Sequence, residues 1–412
     1  MNRAIFYSIA LLALAIAVPS CEKSDPDEKE TKKIVLTEKS AQIIEADQAF
    51  GFELFREVYS LTGEENIMIS PLSVSYALGM TYNGAAGSTL EAFNDVLHFE
   101  GLSTSEVNES YKDLMGQLVQ LDEQVEFSIA NSIWYRMGFP VLPAFLQANR
   151  DYFDAEVREV DFTDPATVDI INGWIEEKTN DKIKDMLDNI PTDAVMYLVN
   201  AIYFNAKWKY EFEKDKTYEG GFILEDGTIH TTDFMRVSGN FAYTANADFT
   251  AVELPYGDSA FSMVVMLPSP EKDLSELVAG LDAARWNEWF ANSGVTGVQV
   301  DLPKFKYEFK DLMNDPLTNL GLGVAFSDLA DFTGINPEGG LMISRVIHQT
   351  FIDVQEEGTE AAAATIVEIV ETSTGGGGPV LFRVDRPFLY LIKENSTGAI
   401  VFIGKVGRPE HP

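Results

Sequence analysis

An α+β fold is the class this sequence predicts, and three observations predict it. Helical spacing of apolar residues is concentrated early in the chain, β-branched and aromatic runs dominate later, and no second linker separates the two. From about Thr37 onward there is no fixed-period repeat, and the only low-complexity stretch is Gly375-Gly376-Gly377-Gly378. A single domain of roughly 370 residues is therefore favoured over two. With 46% hydrophobic and 11% aromatic residues, the chain has ample material for a large core.

The N-terminus reads as a targeting segment. Arg3 precedes an apolar run from Ile5 to Val18, broken only by Ser8, and Val18-Pro19-Ser20-Cys21 follows. A bilayer span takes about 20 residues, so this run suits the core of a signal peptide over residues 1–20. Cys21 is the only cysteine, so the fold holds no internal disulfide. Its position resembles a bacterial lipobox, although Pro19 is an unusual occupant of that motif. The resemblance implies a lipid on Cys21 and an extracytoplasmic, bacterial protein anchored to the outer membrane and exposed at the cell surface. The alternative is an ordinary signal cut near Ser20 and a secreted protein. Residues 21–40 are expected to be a flexible acidic tether, since Glu22 to Lys33 is charged and has no apolar periodicity.

In the folded part, helical spacing runs through Ile43 to Tyr59, Val74 to Tyr82 and Leu90 to Leu97. Ser70-Pro71 opens the second of these, with proline in the first turn where its missing N–H is harmless. Further helices are expected over Val168 to Lys178 and Leu281 to Phe290. Strands are expected over Val125 to Tyr135, Ala194 to Phe204, Phe261 to Leu267, Val298 to Leu302, Phe388 to Ile392 and Ala399 to Val406. Helices early and strands late suggest large mixed or antiparallel sheets.

Charge and motifs then exclude function classes. Against 65 Asp plus Glu stand 30 Lys plus Arg, a net charge of −35 that repels nucleic acid and acidic lipid. No Gly-x-Ser-x-Gly, His-Glu-x-x-His, Gly-x-x-x-x-Gly-Lys or Cys-x-x-Cys motif occurs. His98, His230, His348 and His411 have no ligand-like spacing, so neither a metal nor a cofactor is expected. A scattered catalytic triad or carboxylate pair finds no positive support, and the expectation is a protein that is not an enzyme.

The informative stretch is Glu356-Glu357-Gly358-Thr359-Glu360-Ala361-Ala362-Ala363-Ala364-Thr365. Alone it could be a helix, as alanine between glutamates suits one. However, it runs into Ile366-Val367 and Ile369-Val370, which favour strand, and then into Thr372-Ser373-Thr374 and the glycines. With period two, Thr359, Ala361, Ala363, Thr365, Val367 and Ile369 share one uncharged face, and Glu360 and Glu368 lie on the other. Such a segment can slide into a sheet and bury its uncharged face.

This hinge resembles that of the serpins, and the likeness runs from about Ile43 to Pro409. Matching segments follow in the family's order. They include Asn66 to Leu72, Ala130-Asn131-Ser132, Ile171 to Trp174, Leu198 to Trp208, Leu302 to Phe305, Ala330 to Gly334 and Arg386 to Leu389, where the family more often has His before the proline. The resemblance implies three β-sheets, eight or nine helices and an exposed reactive loop over about 356–382 within a domain of residues 41–412. It also implies a monomeric suicide substrate. A serine or cysteine protease cleaves the loop, becomes acylated, and is dragged away and distorted as the loop inserts into the main sheet.

Position by position, the match places Ser70, Ser73, Asn200 and His348 in a polar shutter beneath the opening strands. Trp208, Lys304 and Glu356 fall in a breach at the loop's entry, where an ordinary surface ion pair of about 0–1 kcal/mol is the plainer reading. Thr359 and Ala361 would be among the first residues to enter the sheet after cleavage. Family spacing sets the cleaved bond fourteen residues after Gly358, between Thr372 and Ser373, while the glycine run leaves Val370 to Thr374 open. No Lys or Arg lies between Arg345 and Arg383, so trypsin-like pockets find no partner. Elastase-like, subtilisin-like or papain-like endopeptidases fit better. The competing expectation is a non-inhibitory binding or structural protein on the same fold.

Overall fold

The computed structural model of the protein describes residues 31–359 and 378–411. Its helices are α1 (Glu38–Leu61), α2 (Pro71–Tyr82), α3 (Gly87–Val96), α4 (Thr104–Leu118) and α5 (Pro143–Phe153). They continue with α6 (Ala166–Lys178), α7 (Leu274–Ala279), α8 (Ala283–Phe290) and α9 (Asn314–Leu320). The early strands are β1 (Asn66–Ile69), β2 (Val125–Arg136), β3 (Glu156–Val160), β4 (Met196–Lys207), β5 (Tyr218–Ile223) and β6 (Ile229–Ala245). Then come β7 (Phe249–Pro255), β8 (Phe261–Pro268), β9 (Gly294–Pro303), β10 (Phe305–Leu312) and β11 (Ile347–Gln355). The last are β12 (Gly358–Thr359), β13 (Val380–Arg383), β14 (Phe388–Glu394) and β15 (Ile400–Val406).

The α+β class holds, with two differences of detail. Where three sheets are expected, the described strands form two hydrogen-bonded networks. The cause is β6, which pairs with β7 at its C-terminal end while its body pairs with β9 and its start with β5, so the ladder runs unbroken. The helix expected over Leu281 to Phe290 begins only at Ala283, where the Asp282 side chain caps it by accepting from the Arg285 N–H at 2.9 Å. Leu281 is instead buried in the connection from α7.

The expected tether is also shorter than 21–40. Thr37 caps α1, accepting from the Ser40 N–H at 3.0 Å, and the chain before it is already docked. Ile34 is buried and donates its N–H to Ser396, Val35 donates to the Gln117 side chain, and Thr31 donates its hydroxyl to the Asp258 carbonyl. The buried Ile34 and the paired backbone groups make this stretch part of the body.

The six-stranded sheet positions the site, in the order β10-β11-β12-β4-β2-β3. β2 and β4 pair antiparallel from Val125↔Ala206 to Tyr135↔Met196, and β3 closes one edge with the charged Glu156, Arg158 and Glu159, which discourage further pairing. Toward the main core this sheet turns Ile202, Phe204 and Ala206, and toward a second cluster under α6 it turns Val199 and Ala201. Both faces of its centre are thus covered. In the other sheet β8 lies between β7 and β14 with every residue buried, which is why Met263 to Pro268 reads as a continuous apolar run rather than an alternating one.

Candidate functional site

Two polar clusters lie along β4 and β11, one near the start of each strand and one near the end. Among the described residues these two strands meet only through β12.

At the start, the first turn of α2 supplies the donors. Ser70 caps the helix, its Oγ accepting from the Ser73 N–H at 3.3 Å while donating to the Val401 carbonyl at 2.7 Å. The Ser70 N–H donates to Nε2 of His348 at 3.0 Å. Ser73 Oγ bonds Oδ1 of Asn200, whose amide donates to Oδ1 of Asn131 on β2 at 2.6 Å, and Asn131 donates in turn to the Phe153 carbonyl at 2.6 Å. Burial lowers the His348 pKa to about 4, so the ring is neutral, and with Nε2 accepting its proton sits on Nδ1. This is no nucleophile and base. The imidazole meets a backbone N–H, and the Ser70 hydroxyl directs its proton to a carbonyl.

At the other end, the ammonium of Lys304 lies 3.0 Å from Glu356, whose second oxygen accepts from the Thr217 hydroxyl at 2.8 Å. The pair is not at the surface, for the side chains are only 17% and 8% exposed. Sequence spacing could not show this, because cover comes from Thr217 and Phe212, whose N–H donates to the Glu356 carbonyl at 2.9 Å. Burial pushes the Glu356 carboxyl up, but the Thr217 hydroxyl and the Lys304 ammonium outweigh it and hold the pKa below the ordinary value. Trp208 closes the cluster, donating its indole N–H to the Gln355 carbonyl at 2.9 Å and its backbone N–H to the Glu357 carbonyl at 3.0 Å.

Gly358 and Thr359 are already in the sheet. They pair with Gln355 and Val354 on one side and with Lys207 and Ala206 on the other. A Cβ at Gly358 would lie 2.1 Å from the Ala206 carbonyl oxygen, so only glycine fits this approach. Thr359 is buried, and its hydroxyl meets that of Tyr256 at 2.6 Å. This corrects the expectation that Thr359 enters only after cleavage: the sheet has accepted it beforehand, because Tyr256 offers a buried partner there. The Tyr256 ring stacks on Trp208 with centroids 4.4 Å apart.

The structure therefore brings Ser70, Ser73, Asn200 and His348 together, and likewise Trp208, Lys304 and Glu356. Glu360, Ala361, Ala362, Ala363, Ala364, Thr365, Thr372, Ser373 and Cys21 lie outside the described residues. Sequence reasoning missed Tyr256 and Thr217. A lone Tyr after Pro255 and a Thr before β5 carry no local signal of partners 103 and 139 residues away. Beside the first cluster, at the start of β4 and β11, is a cavity of about 330 Å³ lined by Val74, Leu78, Leu198, Ile343 and Val346 together with Ser73, Asn200 and His348. Among the described residues no cluster of His, Cys, Asp or Glu could hold a metal ion.

Known proteins share this fold. The family model for serpins, serine protease inhibitors, matches residues 45–409. A serpin-like protein of Methanosarcina acetivorans is 36% identical over 374 residues, 89% of this chain and 88% of its own. The native-state crystal structure of tengpin, a thermophilic serpin, superposes with a TM-score of 0.82 at 34% identity, covering 91% of this chain and 96% of tengpin. Human thyroxine-binding globulin, solved with its ligand, gives a TM-score of 0.81 at 25% identity over 90% of this chain and all of the globulin's. With a family match over most of its length, this chain belongs to the serpin family.

Proposed function

We propose that the protein is a single-use inhibitor of endopeptidases that is cleaved in its loop and traps the acylated protease as the freed strand inserts between β4 and β11. The observation that carries this reading is β12, a strand of two residues with partners on both sides. Thr359 points to the core, so the uncharged residues Ala361, Ala363, Thr365, Val367 and Ile369 share its face, and Glu360 and Glu368 take the solvent face. Carried on in the same register, the strand sets Thr365 opposite both Asn200 and His348, the shutter residues. β12 then acts as a nucleus from which each further residue adds ladder hydrogen bonds.

The bait around Thr372 and Ser373 is small and β-branched, which supports elastase-like, subtilisin-like or papain-like targets. The leader supports a lipid on Cys21 and an outer-membrane, surface-exposed location. The deciding experiment mixes the protein with an elastase-like protease and resolves the products in denaturant. A complex that survives denaturation is expected. The likeness to thyroxine-binding globulin favours a second reading, a non-inhibitory binding or structural protein on the same fold, and loop cleavage without any covalent complex would support that one instead.

A further inference from the structure

The hinge contact made by Tyr256 depends on a turn, and the turn depends on a carboxylate from a distant part of the chain. Tyr256 opens the connection between β7 and β8, in which Ser259 donates its N–H to the Tyr256 carbonyl at 2.7 Å. Two residues of this turn have positive φ, Gly257 at 45° and Ser259 at 71°. The second is not glycine, and such a conformation persists only where surroundings hold it. Here the holder is Asp122, in the connection from α4 to β2. It is 6% exposed, and its Oδ2 accepts from the Asp258 N–H at 2.8 Å and the Ala260 N–H at 3.4 Å. Its Oδ1 accepts from the Gln124 N–H at 2.9 Å, which orients the carboxylate toward the turn. A Cβ on Gly257 would sit 2.9 Å from both carboxylate oxygens, so turn and carboxylate are fitted to each other.

From this turn the path to the hinge is short. The Gly257 N–H donates to the Lys207 carbonyl, fastening the turn to the end of β4, and Tyr256 forms an isolated bridge with Trp208. The ring so placed stacks on Trp208 and meets Thr359 at 2.6 Å. We propose that Asp122 is a positioning residue for inhibition: by holding the 256–260 turn it sets Tyr256 against Thr359, and so keeps the two-residue nucleus β12 in register before the protease arrives. This rests on the inhibitor reading above. Asp122 touches neither loop nor protease and acts through Tyr256.

The test is a double-mutant cycle on the full-length protein, read as inhibitor molecules consumed per elastase-like protease trapped. Asp122→Asn keeps the size but turns an amide toward N–H groups that need an acceptor. Losing one such bond slows nucleation, and the number consumed should rise about threefold or more. Tyr256→Phe, which deletes the Thr359 contact alone, should raise it as well. Adding Asp122→Asn to Tyr256→Phe should then change little, because both act on one contact. Multiplying effects, or no effect of Asp122→Asn, would overturn the proposal. Hydrogen exchange gives an independent reading. Asp122→Asn should exchange faster at 256–260 and also at 354–359, whereas faster exchange at the turn alone disproves the coupling. The wild type run beside them separates the two levels: if it traps no protease, the inhibitor reading has failed and the exchange result still decides the role of Asp122.

Discussion

Ser70 and His348, 278 residues apart in the chain, meet through a backbone N–H donated to an imidazole nitrogen at 3.0 Å. The bond requires a neutral ring. A second buried group requires the opposite protonation: Asp47 on α1 accepts from the Tyr111 hydroxyl at 2.9 Å, and burial pushes its pKa up to about 7 despite that hydrogen bond.

These two groups give opposed pH dependences. His348 titrates near 6.5 when unfolded and about 4 when folded, so its contribution is complete above pH 6.5 and lost as pH falls toward 4. Asp47 titrates near 3.8 unfolded and about 7 folded, so it favours the folded state at low pH and withdraws that support as pH rises through 7. The His348 contribution is about 3 and the Asp47 contribution about 4 kcal/mol, and between pH 4 and 6.5 they largely cancel. Urea unfolding of Asp47→Asn should show stability rising steadily from pH 4 to 6.5, whereas His348→Gln should show it falling. Parallel profiles for the two variants would contradict the assignment.

The inward face of the hinge is tested by a pair of substitutions. Thr359→Arg forces a charge into the sheet beside Tyr256, at a cost of several kcal/mol. Because Thr359 is already buried, the intact protein should melt lower as well as trap less protease. Each ~1.4 kcal/mol added to the insertion barrier slows it about tenfold, so the variant should be consumed as a substrate. Glu360→Arg, which the proposed two-faced strand would turn outward, should retain most of the inhibition. Equal stoichiometries would rule the two-faced strand out.

Loop insertion also predicts a thermal signature. Cleavage of the wild type in its loop should raise the melting temperature, since an added strand gains backbone hydrogen bonds at roughly 1 kcal/mol each. A cleaved protein that melts where the intact one does has not inserted its loop.

For the bait, brief elastase treatment should leave new chain ends at Thr372 or within a couple of residues of it, as read by mass spectrometry. Thr372→Arg should then inhibit trypsin, which the wild type, with no basic residue between Arg345 and Arg383, should not. Ends confined to Gly375 to Gly378 would move the cleaved bond into the glycine run.

For the leader, Cys21→Ala should release the protein from membranes into the soluble fraction. Partitioning of the variant into detergent together with the wild type would argue against a lipid at that position.

What the sequence determined by itself follows from local chemistry. Ser70-Pro71 announces the start of α2, because a capping hydroxyl and a proline in the first turn act within four residues. The alternation of Val125 to Tyr135 announces β2, and the hinge and its ordered companions pointed to the family from residue types alone. That resemblance also grouped Ser70, Ser73, Asn200 and His348, and Trp208, Lys304 and Glu356, which the structure brings into two clusters. The tertiary structure decided what depends on distant partners. α4 and α5 escaped notice because their apolar stripes are diluted by polar residues whose partners lie outside the helix, such as the Asn108 amide bonded to Asn83. The Lys304–Glu356 pair reads as an ordinary surface bridge until Thr217 and Phe212 cover it. Thr359 reads as loop until Tyr256, brought in by the turn that Asp122 holds, offers its hydroxyl inside the sheet. Burial and hydrogen-bond satisfaction are set by segments more than a hundred residues away, and neither periodicity nor spacing records which of those segments arrives.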